Sequence, residues 1–67
     1  MLEIRFKTGN ACFRDPDTGE LDRFALAEFL RGLGNELADT IQDFYARSGS
    51  IMEINGNRIG DWILVEE

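Results

Sequence analysis

The segment ELDRFALAEFLRGLGNELADTIQDFYAR, residues 20–47, sets the architecture of this 67-residue chain. Leu26, Leu30, Leu33, Leu37, Ile41 and Phe44 recur at steps of four, three, four, four and three, the spacing of one face of an α-helix. At about 100° per residue, Glu28, Glu36, Asp39 and Asp43 fall within roughly 80° of one another on the flank of that helix, with Gly32 between them. No Lys or Arg falls inside this arc, and Arg47 lies just beyond one edge. The spacing predicts an amphipathic helix with leucines on its underside and a row of carboxylates along its side.

Two features within the segment complicate a single straight helix. Gly32 and Gly34 each cost about 1 kcal/mol relative to alanine in a helix interior. They predict a kink or a close approach of the helix backbone to a sheet, and a helix-loop-helix broken near Gly34 is the alternative. Leu21 and Phe24 fall off the main apolar stripe, so the first turn is expected to pack differently from the rest. Upstream, Asp15-Pro16-Asp17-Thr18-Gly19 is turn chemistry throughout. Asp17 or Thr18 is the expected helix cap, with Glu20 near the positive end of the dipole. Downstream, Ser48-Gly49-Ser50 is the expected stop, with Gly49 suited to a left-handed cap and Arg47 at the negative end.

On either side of the helix the periodicity changes to two. Leu2, Ile4 and Phe6 alternate with Glu3, Arg5 and Lys7, a strand with one wet face. Ala11-Cys12-Phe13 is too short to assign, and Phe13 is expected to pin the returning loop onto the core. After the helix, Ile51-Met52-Glu53-Ile54 runs into Asn55-Gly56, the dipeptide suited to a type I′ turn, and then Asn57-Arg58-Ile59. A two-residue loop would pair Ile54 with Asn57, Glu53 with Arg58 on the outer face, and Met52 with Ile59, and turn Met52, Ile54 and Ile59 toward the helix. Strict alternation would then place Asp61 inward and Trp62 outward. A bulge at Gly60 reverses that and brings Trp62 and Leu64 onto the core, and it is the favoured arrangement. The expected fold is therefore α+β in the order β-α-β-β, a single domain over residues 1–67. One long helix packs on a three-stranded antiparallel sheet of order 1-3-2, whose wet face bears Glu3, Arg5, Lys7, Glu53 and Arg58.

Charge and residue inventory narrow the function. Thirteen acidic residues against seven basic ones leave a net charge of −6. That balance opposes direct nucleic-acid binding, which needs Lys and Arg against phosphates, and favours a basic partner surface. It is equally the charge that keeps small domains soluble. Cys12 is the one cysteine, which excludes an intrachain disulfide and suits a reducing cytosol. The charged, alternating start of the chain is neither a signal peptide nor a transit peptide, and no apolar run approaches a membrane span.

Enzymatic chemistry is not expected. The chain has no histidine, which removes the commonest general base and the Ser-His and Cys-His pairs. Cys12 is expected to be an idle thiol, and the paired carboxylates lack a pocket that would raise one pKa. Asp15-x-Asp17-x-Gly19 followed by Asp22 has the look of an EF-hand start, but its glycine sits one place early and the twelfth position is Leu26 rather than glutamate. A capped turn accounts for these residues, and no metal or cofactor is expected. Trp62 and Tyr45 are the aromatic candidates for a contact surface, with a place in the core as the plainer alternative.

Asn10-Ala11-Cys12-Phe13 and the closing run Ile54-Asn55-Gly56-Asn57-Arg58-Ile59-Gly60-Asp61-Trp62 together resemble a pattern in small phage and prophage proteins. The likeness covers the two ends of the chain and not the helix, and its motifs are structural, so it carries no catalytic residues across. Small acidic phage proteins of this size include anti-CRISPR proteins, and the resemblance implies a viral inhibitor working in the host bacterial cytoplasm. CRISPR effectors hold nucleic acid in positively charged channels. The expectation is a protein that blocks DNA binding by charge mimicry through Glu28, Glu36, Asp39 and Asp43, a row spanning roughly 22 Å along the helix. Its partner would be a basic nucleic-acid-binding surface, for instance a CRISPR effector subunit, with no membrane and no direct nucleic acid involved. The alternative is a non-inhibitory phage accessory protein or protein-interaction module, homodimeric through Trp62 or a sheet edge.

Overall fold

A computed structural model of the chain describes residues 1–66, apart from the side chain of Phe44. Strand β1 (Leu2–Phe6) leads through a short 3-10 turn (Ala11–Phe13) to helix α1 (Arg23–Phe44), and strands β2 (Ser48–Met52) and β3 (Arg58–Leu64) follow. The sheet is antiparallel with β3 between β1 and β2, the expected order. The pairs Leu2–Leu64, Ile4–Trp62 and Phe6–Gly60 on one side of β3, and Gly49–Trp62 and Ile51–Gly60 on the other, put these residues on one face. Leu33 and Leu37 of α1 bury themselves against Ile51 and Trp62 of that face, with Phe6, Phe29, Ile41, Ala46, Ile59 and Leu64 packed around them. Leu2 and Ile4 lie at its β1 margin and stay more than a third exposed.

The helix is unbroken through Gly32 and Gly34. A Cβ on either glycine would meet nothing, so neither marks a close approach to the sheet. At 1.5 Å per residue the 22-residue helix is about 33 Å long and must lie along the longest of the molecule's 42 × 20 × 19 Å dimensions. Among the described side chains the buried stripe departs from the expected one at Leu30, which is exposed, while Phe29, one residue earlier, packs instead. Phe29 is drawn inward by Phe13, which is fully buried and meets its ring edge-on at 5.0 Å, while Phe6 closes the trio at 5.2 Å from Phe29. Phe13 therefore anchors the loop as expected. Phe44 ends the helix, and its side chain lies outside the described residues.

Both helix ends fall inside the expected span. Asp22, not Asp17 or Thr18, is the N-cap, and its carboxylate accepts from the backbone N–H of Phe24 and Ala25 at 3.0 and 3.2 Å. The start is delayed because residues 14–21 double back: Arg14 and Leu21 form an antiparallel bridge, and Asp22 N–H donates to the Phe13 carbonyl at 2.7 Å. Asp15 accepts from the N–H of Asp17 and Thr18, which accounts for the acidic turn as a capped turn. At the other end Tyr45 adopts the left-handed conformation (φ 53°) that Gly49 was expected to supply. Ser48-Gly49-Ser50 is sheet rather than helix stop, because Gly49 sits under the Trp62 indole, where a Cβ would come within 2.6 Å of Nε1.

The hairpin departs from its expected register by one residue. Met52 pairs with Arg58 rather than Ile59, and Ile59 is the extra residue between Arg58 and Gly60, opposite the Ile51–Met52 step. The irregularity thus falls one place before the bulge expected at Gly60, with the expected result: Trp62 is buried and Leu64 packs on the core. Gly60 has its own constraint, since a Cβ there would lie 1.9 Å from the Arg5 carbonyl oxygen. The turn is a three-residue loop, Ile54-Asn55-Gly56, closed by Gly56 N–H to the Glu53 carbonyl and Glu53 N–H to the Asn57 carbonyl, both 2.9 Å. Gly56 takes φ 84° at its third position. This hydrogen-bond pattern is that of a turn closed by a glycine bulge, not of the two-residue turn.

Candidate functional site

Glu28, Glu36, Asp39 and Asp43 are all exposed, on one flank of α1. Among the described residues none of the four accepts a side-chain hydrogen bond or joins an ion pair. The cations are engaged or placed elsewhere. Arg47 lies beyond the helix and pairs with Glu66, Arg58 pairs with Asp61, and Arg14 donates from Nε to the Thr8 carbonyl. Arg23 stacks over the Phe24 ring. Arg5 and Lys7 are exposed on β1 and the residue after it, while Arg31 stands one turn from Glu28, outside the acidic arc. Rise alone separates Glu36, Asp39 and Asp43 by about 4.5 and 6 Å, and sets Glu28 about 12 Å before Glu36. The row is therefore a close triplet with an outlier, and Gly32 occupies the gap.

The hairpin corrects the other half of the expected surface. Glu53, expected on the wet face opposite Arg58, is only 4% exposed. Its Oε1 accepts from the Asn57 N–H at 2.9 Å, and its Oε2 accepts from the side-chain amides of Asn55 and Asn10 at 3.3 and 3.4 Å. The three-residue turn folds this carboxylate back over its own loop, which leaves Arg58 to Asp61 at 3.3 Å. Met52 and Ile54, expected to face the helix, are 51% and 90% exposed. Together with Glu53 and with Glu28, Phe29, Gly32, Leu33 and Glu36 of the helix they border an open groove of about 430 Å³ between α1 and the hairpin tip.

No protein family, curated protein or solved structure matches this chain. The site must therefore be read from its own chemistry. Trp62 is buried in the core and unavailable as a contact residue, whereas Tyr45 stands exposed just past the end of the acidic row. Cys12 is half-buried in the 3-10 turn. The described residues contain no cluster of metal-ligating side chains and no helix long and apolar enough to cross a membrane. What the surface offers is fixed negative charge in water, part of it on the border of a groove with apolar and acidic lining.

Proposed function

We propose that this chain is a small acidic inhibitor of the anti-CRISPR kind, which binds the basic nucleic-acid track of a host effector complex and blocks its DNA. The observation that carries the reading is the row Glu28, Glu36, Asp39 and Asp43, exposed and unpaired along one rigid helix. Carboxylates without internal partners lose no existing contact when they meet Lys and Arg, and a helix presents them without the ordering cost of a loop. The net charge of −6 would steer the encounter over a Debye length of about 8 Å.

The density of charge narrows the kind of track. Over about 22 Å one nucleic-acid strand carries roughly six phosphates and a duplex roughly thirteen. Four carboxylates approach the first figure and fall well short of the second. The reading therefore favours a channel built for a single strand over one that grips a duplex.

The test is displacement of labelled target DNA from purified CRISPR effector complexes. The chain should displace DNA at near-stoichiometric amounts. The variant Glu28→Lys/Glu36→Lys/Asp39→Lys/Asp43→Lys should not, while keeping its helical circular dichroism, since all four positions are exposed. Equal inhibition by the reversed variant would refute the charge row. A second reading, a homodimeric interaction module, is favoured by the β1 margin, where Leu2 and Ile4 remain partly uncovered beside an open strand edge. Light scattering separates the two: a dimer that persists in high salt supports the module.

A further inference from the structure

We propose that the groove between α1 and the hairpin tip receives a short extended segment of the protein partner, with an apolar side chain seated between two cations. This rests on the reading of Glu28 and Glu36 given above and adds to it a site, a shape and a partner chemistry. The groove is lined by apolar side chains together with the carboxylates of Glu28, Glu36 and Glu53, the last already held by the Asn57 N–H and the amides of Asn55 and Asn10. Phe29 and Leu33 border it from the helix, and Met52 and Ile54 from the hairpin.

Two of its bordering residues serve nothing else in the fold. Ile54 sits at a loop tip, 90% exposed, where a β-branched apolar side chain neither packs nor helps the turn. Gly32 lies mid-helix, where glycine is disfavoured, yet a Cβ there would touch nothing. Both become intelligible as parts of a docking surface, one supplying an apolar wall and the other leaving room above the groove. Met52 adds an unbranched side chain that adapts to an incoming shape.

Charge identifies the occupant. Glu28 and Glu36, both exposed on the same border, are about 12 Å apart along the helix, which an extended chain spans in about four residues. Cations at the first and fifth positions of such a segment therefore meet the two carboxylates, and the third side chain, on the same side of the strand, enters the groove. An acidic segment would set like charges against both carboxylates, and an uncharged one would gain no ion pair from them.

The probe is a labelled peptide, Arg-Ser-Leu-Ser-Arg, titrated into the isotopically labelled full chain and followed by backbone amide shifts. Saturable shifts at Gly32, Glu36, Met52 and Ile54 are expected, with affinity falling about fivefold or more when the peptide leucine is replaced by serine. Ile54→Ser, at a fully exposed position, and Gly32→Leu, which fills open space, should each weaken binding by a similar factor without disturbing the fold. Equal binding of both peptides, with shifts along Asp39 and Asp43, would overturn the groove and leave the charge row standing. Groove shifts that persist undiminished in Glu28→Gln/Glu36→Gln would overturn the cation pairing, and with it those two carboxylates' part in the charge row. Absence of saturable shifts with either peptide would overturn the proposal outright.

Discussion

Glu53 ties together two segments that no strand pairing joins, the hairpin turn and the loop after β1. Its carboxylate gathers the Asn57 N–H and the amides of Asn55 and Asn10, tying the hairpin tip to the loop after β1. Replacing it by alanine strands the Asn57 N–H, and we expect Glu53→Ala to lower unfolding free energy by about 1–3 kcal/mol in urea titration. Glu53→Gln, whose amide oxygen still accepts from Asn57, should cost less; an equal loss would show that the bond to Asn57 is not what matters. Gly60 is the stricter position. A Cβ would lie far inside the van der Waals contact distance to the Arg5 carbonyl oxygen, so Gly60→Ala should abolish the cooperative melt. Neither residue was legible from local pattern. Asn55-Gly56 serves a two-residue turn and a three-residue turn equally well, and one residue of register decides whether Glu53 meets Arg58 in water or is buried over its own loop. An isolated strand glycine such as Gly60 signals a bulge or a close approach without saying which.

Helix α1 shows which local signals survive contact with the rest of the chain. Apolar residues at steps of three and four located the helix, and the same winding placed all four carboxylates in water, because an exposed flank depends on winding alone. Its ends were not legible in the same way. Asp17, Thr18 and Asp22 are all competent caps, and the Arg14–Leu21 bridge, a tertiary contact, selects Asp22. Gly49 looked like a helix stop because glycine serves both a left-handed cap and a tight approach, and the indole of Trp62 claims it for the second. The left-handed position falls to Tyr45 instead, an exposed aromatic residue at φ 53°. Tyr45→Gly should therefore raise stability by about 1 kcal/mol, seen as a higher thermal midpoint. Gly34→Ala should add a similar amount, since the new methyl meets nothing and the helix gains propensity. A lower midpoint for Tyr45→Gly would mean that its side chain contributes more to the fold than its exposure implies.

The whole molecule is elongated, 42 × 20 × 19 Å, and carries more acidic side chains than its described ion pairs use. Its described ion pairs consume Glu66 and Asp61, which leaves the helix flank uncommitted. A domain of 67 residues has a total stability of only about 3–10 kcal/mol, and a row of like charges in water lowers it slightly, by repulsion that salt screens. Binding through that row should be strongly salt-sensitive, because exposed charges are screened within about 10 Å at 0.1 M ionic strength. The direct measurement is the affinity of the chain for a CRISPR effector complex identified by the displacement test, taken between about 50 and about 200 mM salt. The same titration is then repeated with Glu28→Gln/Glu36→Gln/Asp39→Asn/Asp43→Asn, which keeps shape and removes charge. The charge row predicts an affinity that falls about tenfold or more with salt for the natural chain, and weak, nearly salt-independent binding for the neutral variant. Tight binding by the neutral variant, with the salt dependence of the natural chain, would contradict it.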